Sequence, residues 1–304
     1  MILMGDNRET LPTLDAGCAQ TCVTSPPYWG LRDYGNDAQI GLESTPDEYV
    51  AQLVAVFREV RRVISDDGTL WLNLGDSYSA GGMSNPSEKS TITGGKDRGA
   101  SGYSIARKVP AGLKPKDLVG IPWRVAFALQ ADGWFLRSDI IWHKPNPMPE
   151  SVTDRPTSAH EHVFLLSKSQ RYFYDADAIR EDVKSGSGVG MRAPKCGPER
   201  VHGTANQSDR KTYHDVKGAN ARNVWAIKSK PYSGAHFATM PPALAKRCIL
   251  AGSRVGDTVL DPFFGSGTTG ESAQALGREW IGCELQEDYK PLIRERTAQG
   301  GLGI

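Results

Sequence analysis

One glycine-rich turn, Asp261-Pro-Phe-Phe-Gly-Ser-Gly-Thr-Thr269, separates the apolar run Thr258–Leu260 from a helical pattern. A glycine-rich turn at this place lets a ligand approach the backbone closely, and the first turn of the helix offers unpaired N–H groups. Glu284 follows Asp261 by 23 residues, at the end of the next predicted strand, where an acidic side chain can bind the hydroxyls of a ribose. The pattern therefore predicts a nucleotide-type binding site in an α/β fold.

The spacing of the residues in this turn excludes one class of ligand site but does not identify the ligand. A phosphate-binding loop of the Gly-x4-Gly-Lys-Ser/Thr type needs a lysine that is absent here, whereas Gly265, Gly267 and Gly270 match the dinucleotide pattern Gly-x-Gly-x-x-Gly. An acid on a ribose serves NAD and S-adenosylmethionine equally well. Both a dehydrogenase and a methyltransferase stay open at this point.

Alternating strand and helix patterns surround the turn. Short apolar runs rich in β-branched and aromatic residues predict seven strands: Ile2–Met4, Thr21–Thr24, Thr69–Leu74, Trp134–Trp142, His162–Leu166, Thr258–Leu260 and Trp280–Cys283. Helices are predicted at 45–64, 122–131, 242–251, 268–276 and 287–297. The first of these has Thr45 as N-cap, Pro46 at its first position and Glu48 completing a capping box. The alternation predicts a mostly parallel sheet with helices on both faces.

Two segments interrupt this alternation. Residues 76–118 contain Gly81-Gly82 and Gly94-Gly95 and have almost no apolar period, which predicts a mobile surface loop. Residues 184–230 carry ten Lys or Arg against three Asp or Glu, a local excess of seven positive charges. Such a segment is suited to a phosphate backbone, although a merely solvated basic insertion is the alternative.

The composition excludes several classes of protein. The chain has 304 residues, 39% of them hydrophobic and 23% charged, with a net charge of +1. No apolar run approaches the roughly 18 residues of a membrane helix, and the N-terminus has no signal-peptide pattern. The five cysteines form no C-x-x-C pair and no zinc-type cluster. We therefore expect a cytoplasmic protein with no membrane partner and no metal.

A second motif, Ser25-Pro-Pro-Tyr28, follows the strand that ends near Thr24. Consecutive prolines force an extended, rigid backbone whose carbonyls cannot enter a helix. A polar side chain followed by such carbonyls forms a fixed set of acceptors for an exocyclic amino group, and Tyr28 or Trp29 could stack on the base. The motif therefore indicates an amine that is held and aimed at a methyl donor.

In both motifs and their order, the sequence resembles the β class of amino-DNA methyltransferases, which make N4-methylcytosine or N6-methyladenine. In that class the target-amine motif lies near the N-terminus and the S-adenosylmethionine motif near the C-terminus, as residues 25–28 and 261–269 do here. The resemblance covers nearly the whole chain. It implies a circularly permuted, Rossmann-like sheet of seven strands with a hairpin, Trp134–Trp142 and His162–Leu166, at one edge, and a double-stranded DNA substrate.

The resemblance also implies roles for individual residues. The catalytic set is Ser25, Pro26, Pro27 and Tyr28. The S-adenosylmethionine set is Asp6, His236, Phe237, Asp261, Pro262, Phe263, Gly265, Gly267, Thr268 and Glu284. Residues 179–223 take the place of the target-recognition region, between a target-amine half at 1–178 and a cofactor half at 224–304. Within it, the expected DNA contacts are Lys195, Arg200, Arg210, Lys211, Lys217 and Arg222.

Other functions would require different chemistry from an amino-DNA methyltransferase. A cytosine-C5 methyltransferase would need a Pro-Cys nucleophile, and no Pro-Cys occurs in the chain. An RNA or protein amine methyltransferase stays open, but it would have to explain the basic insertion and the permuted motif order. The intact motifs 25–28 and 261–269 argue against a DNA-binding module without catalysis. Comparing the binding of S-adenosylmethionine with that of NAD would distinguish an NAD-dependent dehydrogenase. Within the family, Ser at the first motif position is typical of enzymes that act on cytosine and Asp of those that act on adenine, so Ser25 favours cytosine N4 over adenine N6. A homodimer and a cognate restriction endonuclease, as in restriction–modification systems, are further open expectations.

Some prominent residues have simpler explanations. Trp71, Trp123, Trp134 and Phe164 lie on predicted strand or helix faces and are expected in the core. The run His160-Glu161-His162 could suggest a metal pair, but no third ligand lies nearby in sequence. We therefore expect no metal there.

Overall fold

The computed structural model describes residues 1–31, 33, 35–79, 109–182, 218–229 and 240–298. The strands in these ranges are β1 (Ile2–Met4), β2 (Ala19–Thr24), β3 (Ile64–Leu74), β4 (Phe135–His143), β5 (His160–Ser167), β6 (Val224–Ala226), β7 (Thr258–Asp261) and β8 (Glu279–Glu284). The helices are α1 (Asn7–Thr10), α2 (Pro46–Val63), α3 (Ile121–Ala131), α4 (Pro242–Gly252), α5 (Thr268–Ala275) and α6 (Lys290–Ala298). Among the residues described, no helix is long and apolar enough to cross a membrane.

The strands form one sheet in the order β1-β8-β7-β2-β3-β5-β4-β6. The five strands from β1 to β3 are parallel, whereas β5 runs antiparallel to both β3 and β4. The carboxyl ends of β1, β8, β7, β2 and β3 therefore meet at one edge of the sheet. In an open α/β sheet this edge is the usual ligand crevice.

The two faces of the sheet bury different side chains because successive residues of a strand point in opposite directions. In β3, Leu70 and Leu72 pack in a core that includes the inner face of α2, whereas Trp71 packs in the core that includes α4. Helices thus cover both faces, as the alternating pattern predicts. The seven predicted strands are all present, six of them within two residues of their predicted bounds, whereas β3 begins at Ile64, five residues before the predicted start at Thr69.

Helix α2 begins where its sequence predicts. The Thr45 side chain accepts a hydrogen bond from the Glu48 N–H, and the Glu48 carboxylate accepts one from the Thr45 N–H, so the capping box is complete. These two bonds satisfy backbone donors that the first turn would leave unpaired. The inner face of the helix, which includes Leu53 and Phe57, is fully buried.

The structure corrects two expectations. The described residues form eight strands instead of seven, because Val224–Ala226 pairs in parallel with β4 and becomes the edge strand, so the β4–β5 hairpin is not itself the edge. Three residues are too few to show a strand period in the sequence. Trp123 is the second correction, since it is 37% exposed at the surface of α3 and is not a core residue. Its ring packs edge-on against Phe164, which is fully buried.

The two ends of the predicted loop 76–118 are joined to each other; its middle, residues 80–108, lies outside the described residues. Ser79 exchanges backbone hydrogen bonds with Lys116 and Asp117, and Ser77 accepts one from Val119. The Asp76 carboxylate accepts the backbone N–H groups of Gly120 and Ile121 at the start of α3. These contacts fix the base of the segment next to the carboxyl end of β3.

Candidate active site

The two sequence motifs meet at the centre of the sheet. β2 and β7 are neighbouring parallel strands, and the Thr24 hydroxyl donates a 2.6 Å hydrogen bond to the Asp261 carboxylate. The same carboxylate oxygen accepts the Phe263 N–H at 3.0 Å. Because Thr24 directly precedes Ser25, this bond places the predicted amine-binding motif beside the predicted cofactor turn.

The turn after β7 depends on glycines at defined positions. Gly265 and Gly267 have φ values of 54° and 87°, in the left-handed region that side chains disfavour, and Gly267 immediately precedes α5. A Cβ on Gly282 of β8 would lie 2.4 Å from the Phe264 ring, which stacks on Trp280. Phe264 is therefore a packing residue that holds the turn against β8.

The neighbouring Phe263 is oriented differently. It is partly buried against the core that includes α2, where its ring centroid lies 6.4 Å from that of Phe57. It keeps some exposure at the strand ends, which is compatible with its predicted contact to the cofactor. The prediction for Phe263 stays untested.

Glu284 ends β8 and is 7% exposed. Its carboxylate oxygens accept the backbone N–H groups of Gly265 at 2.7 Å and Gln286 at 2.8 Å. Burial raises the pKa of Glu284 from 4.5 to about 7, although these N–H groups act in the opposite direction. Burial likewise raises the pKa of Asp261 to about 6. Two carboxylates that are difficult to ionise thus lie at adjacent strand ends, which is a common property of functional sites.

Asp6 lies at the end of the edge strand β1, next to Glu284. The Gly5 N–H donates to the Glu284 carbonyl, and the neighbouring Asn7 amide donates to the Pro262 carbonyl at 2.9 Å. The Asp6 carboxylate caps α1 and pairs with Arg8. Although partial burial alone would raise the pKa of Asp6, the hydrogen bonds and charge of Arg8 hold it below its ordinary value. Asp6 is therefore an ionised acceptor at the side of the site.

Thr268 differs from the other predicted cofactor residues. It is buried, and its hydroxyl accepts a 3.0 Å hydrogen bond from Arg296 of α6, which also donates to the Ser266 hydroxyl at 2.6 Å. The Thr268 side chain thus helps to attach α6 to the turn. The signal for Arg296 in the sequence is weak, because an arginine near the end of a helix is normally exposed.

The Ser25-Pro-Pro-Tyr28 motif is rigid. The Tyr49 hydroxyl of α2 donates to the Pro27 carbonyl at 2.8 Å, and Pro26 is buried. The Ser25 hydroxyl lies 3.3 Å from the Tyr28 hydroxyl. A Cβ on Gly75, directly after β3, would lie 2.6 Å from the Tyr28 ring. The ring is therefore packed directly on the glycine backbone.

The Tyr28 hydroxyl also contacts residues that the sequence did not single out as catalytic. It donates to the Glu161 carboxylate of β5 at 2.7 Å and lies 3.3 Å from the Asn73 side-chain oxygen. Lys144 forms an ion pair with the same glutamate. The sequence shows Glu161 only as the middle of His160-Glu161-His162. His162 itself pairs with Asp139, so the histidine and the glutamate of this run have different partners.

Of the six predicted DNA contacts, only Arg222 lies among the described residues. Arg222 is exposed and pairs with Glu181 at 2.7 Å. The other five predicted contacts, Lys195, Arg200, Arg210, Lys211 and Lys217, lie outside the described residues, as do His236 and Phe237 of the predicted cofactor set.

Comparison with known proteins shows a close relationship to one family. A sequence profile described as DNA methylase, for N6 and N4 methyltransferases, matches residues 19–295. The type II methyltransferase M.SmaI of Serratia marcescens is 50% identical over 97% of this chain and 89% of that protein. M.Cfr9I of Citrobacter freundii, also a type II methyltransferase, is 48% identical over 96% of this chain and 85% of that protein.

Solved structures have the same fold. The PvuII DNA methyltransferase, described as cytosine-N4-specific, superposes with a TM-score of 0.64 at 18% identity and covers 97% of this chain and 85% of its own. A presumed DNA modification methylase from Thermus thermophilus, complexed with S-adenosyl-L-methionine, superposes with a TM-score of 0.62 at 24% identity. That match covers 100% of this chain and 95% of the other. At these identities the superpositions establish the α/β methyltransferase architecture.

Proposed function

The chain belongs to the N6/N4 family of DNA methylases, and from this premise we propose that it methylates the exocyclic N4 of cytosine at a specific site in double-stranded DNA. As a family member with close type II relatives, it is a type II DNA methyltransferase that uses S-adenosylmethionine. The proposal adds the target base, the roles of the residues and the route of the reaction. Adenine N6 is the alternative target.

One observation carries the proposal. The Thr24–Asp261 hydrogen bond joins the ends of β2 and β7, so the acceptors of the Ser25 motif lie next to the turn 261–267. Methyl transfer to an amine needs such proximity, since the reacting atoms must approach within about 3–3.5 Å in line. A protein that only bound DNA would not need these two groups together.

The residues at the end of β7 and β8 fit the cofactor. Gly265 has open space where a Cβ would lie, and the Glu284 carboxylate next to it can accept hydrogen bonds from two ribose hydroxyls. Asp261 and Phe263 would complete this site, and Asp6 would receive the adenine amino group. When bound, S-adenosylmethionine supplies a methyl group on a positively charged sulfur.

The amine motif would act by holding and orienting the target nitrogen. Ser25 and the Pro26 carbonyl would accept the two N–H bonds of the amino group, drawing its lone pair out of conjugation and directing it at the methyl group. The target base must first leave the duplex, because its amino nitrogen otherwise lies inside the base stack. No enzyme–DNA covalent bond forms in this route, so no stable adduct is expected with 5-fluorocytosine DNA. A trapped adduct would exclude direct transfer.

Ser25 supports cytosine as the base, since serine at this position is typical of family members that act on cytosine. Digestion of DNA methylated by the purified protein, followed by nucleoside analysis, tests this assignment. N4-methylcytosine is the expected product. N6-methyladenine without N4-methylcytosine would reverse the base and leave the fold, the cofactor and the in-line route standing.

Residues 179–223 are proposed to hold the DNA because of their excess of basic side chains. We also propose that the protein works beside a cognate restriction endonuclease and as a homodimer. Methylome sequencing of a host that expresses the protein would give the recognition sequence, and sedimentation of the purified protein would give its oligomeric state. A purely monomeric protein that methylates both strands of its site would remove the dimer from the proposal.

A further inference from the structure

We propose that Glu161 is a positioning residue, which acts through the Tyr28 hydroxyl to make Ser25 a hydrogen-bond acceptor toward the target amine. A serine hydroxyl can donate as well as accept, so the chemistry of serine alone does not fix its role. The inference rests on the proposed function, because it concerns the amine that Ser25 would hold.

The first step concerns the proton of the Tyr28 hydroxyl. Glu161 accepts it at 2.7 Å, and the same carboxylate oxygen accepts the Asn73 amide N–H at 3.1 Å. Lys144 pairs with the other carboxylate oxygen. An ionised carboxylate has no proton to give, so its contact with Tyr28 requires the tyrosine to be the donor.

Asn73 strengthens this requirement. Its side-chain nitrogen donates to both the Glu161 carboxylate and the His162 carbonyl, each at 3.1 Å, and these two acceptors fix the orientation of the amide. The Asn73 oxygen therefore faces the Tyr28 hydroxyl, at 3.3 Å, as a second acceptor. Neither the Glu161 carboxylate nor the Asn73 oxygen can donate to Tyr28, so the single tyrosine proton is directed toward these acceptors, and the shorter, 2.7 Å contact assigns it to Glu161.

The second step concerns Ser25. Tyrosine has one hydroxyl proton, and since Glu161 receives it, the Tyr28 oxygen is free to accept from the Ser25 hydroxyl at 3.3 Å. The Ser25 proton is then directed at the Tyr28 oxygen, which leaves the lone pairs of the Ser25 oxygen to accept from the amine. Burial raises the pKa of Tyr28 well above its ordinary value, so the tyrosine keeps its proton at neutral pH.

The geometry resists rearrangement. The Tyr28 ring lies on the backbone of Gly75, where a side chain would collide with it. The Glu161 and Lys144 side chains are only 14% and 22% exposed, and the ammonium of Lys144 also lies 4.6 Å above the Trp142 ring. Asn73 of β3 and Lys144, directly after β4, thus hold the Glu161 carboxylate against the tyrosine hydroxyl.

A double-mutant cycle with Glu161→Gln and Tyr28→Phe tests the proposal. An amide at residue 161 can donate to the Tyr28 oxygen and reverse the direction of the chain, whereas Tyr28→Phe removes the link and keeps the ring. The measurement is the single-turnover rate of methyl transfer to DNA at saturating S-adenosylmethionine. Each single variant should lose about 10- to 100-fold in rate, and the double variant should be no slower than Tyr28→Phe alone.

The controls separate positioning from a structural role. Glu161→Asp keeps the charge and should recover part of the rate lost in Glu161→Gln. Two control variants remove a carboxylate and a tyrosine hydroxyl elsewhere: Glu59→Gln, from an ion pair with Arg62 on α2, and Tyr172→Phe, from a hydrogen bond with Arg137. Both should have the rate of the unaltered protein. Affinity for S-adenosylmethionine should be unchanged in all variants. If Glu161→Gln fails to fold, Glu161→Asp replaces it in the cycle.

Two results would overturn the inference: a double variant whose loss is the product of the two single losses, or a Glu161→Gln protein with the unaltered rate. Either result, with the unaltered protein active on DNA, leaves the proposed function standing. If the unaltered protein transfers no methyl group to DNA under any condition, the proposed function fails and the inference fails with it.

Discussion

Replacing Glu284 with glutamine removes a carboxylate whose ionisation is unfavourable in the folded protein. Burial raises the pKa of Glu284 from 4.5 to about 7, and its side chain keeps only 7% exposure. At about 1.4 kcal/mol per pH unit, holding Glu284 ionised in the folded, ligand-free protein costs about 3 kcal/mol. Because of this cost, a rise in pH should lower the stability of the folded protein but raise its affinity for S-adenosylmethionine.

Stability should depend on pH with a defined sign. Because folding raises this pKa, the favourable contribution of protonated Glu284 is fully present below about pH 4.5 and is lost as the pH rises to about 7. The Glu284→Gln variant does not titrate at this position. The unfolding free energy of the variant minus that of the unaltered protein should therefore rise by about 3 kcal/mol between about pH 4 and pH 8. Any constant cost of pairing an amide with the Gly265 and Gln286 N–H groups cancels in this difference.

The affinity for the cofactor should change with pH in the opposite direction to the stability. The Glu284 carboxylate accepts ribose hydroxyls best when ionised, so affinity for S-adenosylmethionine should fall by up to about tenfold per pH unit below about pH 7. The Glu284→Gln variant should bind more weakly at pH 8, and its affinity should be nearly independent of pH down to about pH 7, below which Asp261, with a pKa of about 6, takes up its proton. Calorimetric titration across this range measures both effects.

Glu279→Gln, an exposed position on the same strand, is the matched control and should keep the profile of the unaltered protein. Parallel pH profiles for the Glu284→Gln variant and the unaltered protein would refute the ionisation argument. Unchanged affinity at pH 8 would remove Glu284 from the ribose site.

Three further predictions concern other parts of the protein. Ser25→Ala should lower the methyl-transfer rate by about 10²–10³-fold, the loss typical of an oriented active-site hydrogen bond, with S-adenosylmethionine affinity unchanged; an equal loss in affinity would contradict it. Asp76→Ala removes the acceptor for the first N–H groups of α3 and should lower the unfolding free energy by about 1–2 kcal/mol in a urea titration, whereas an unchanged midpoint would show that water replaces it. Replacing Arg210 and Lys211 with alanine should flatten the salt dependence of DNA binding, and an identical slope would exclude them as phosphate contacts.

The sequence by itself determined the elements whose signals are local. Thr45 and Glu48 are three residues apart, so the capping box that starts α2 depends on neighbouring residues alone and formed as predicted. The turn 261–269 is similar, because the glycines that permit its positive φ values lie within the motif itself. Strand periodicity likewise identified seven strands and the sheet with helices on both faces.

The tertiary structure alone decided contacts between residues far apart in the chain. Glu161 lies 133 residues from Tyr28, and Asp76 lies 44 residues from the helix terminus that it caps. Local spacing contains no signal for either pair, and a short edge strand such as β6 shows no period of its own. The role of Gly75 is visible only with the Tyr28 ring on it. Such contacts exist because the sheet brings the ends of distant strands to one edge, and the strand order that does so is set by packing of the whole core.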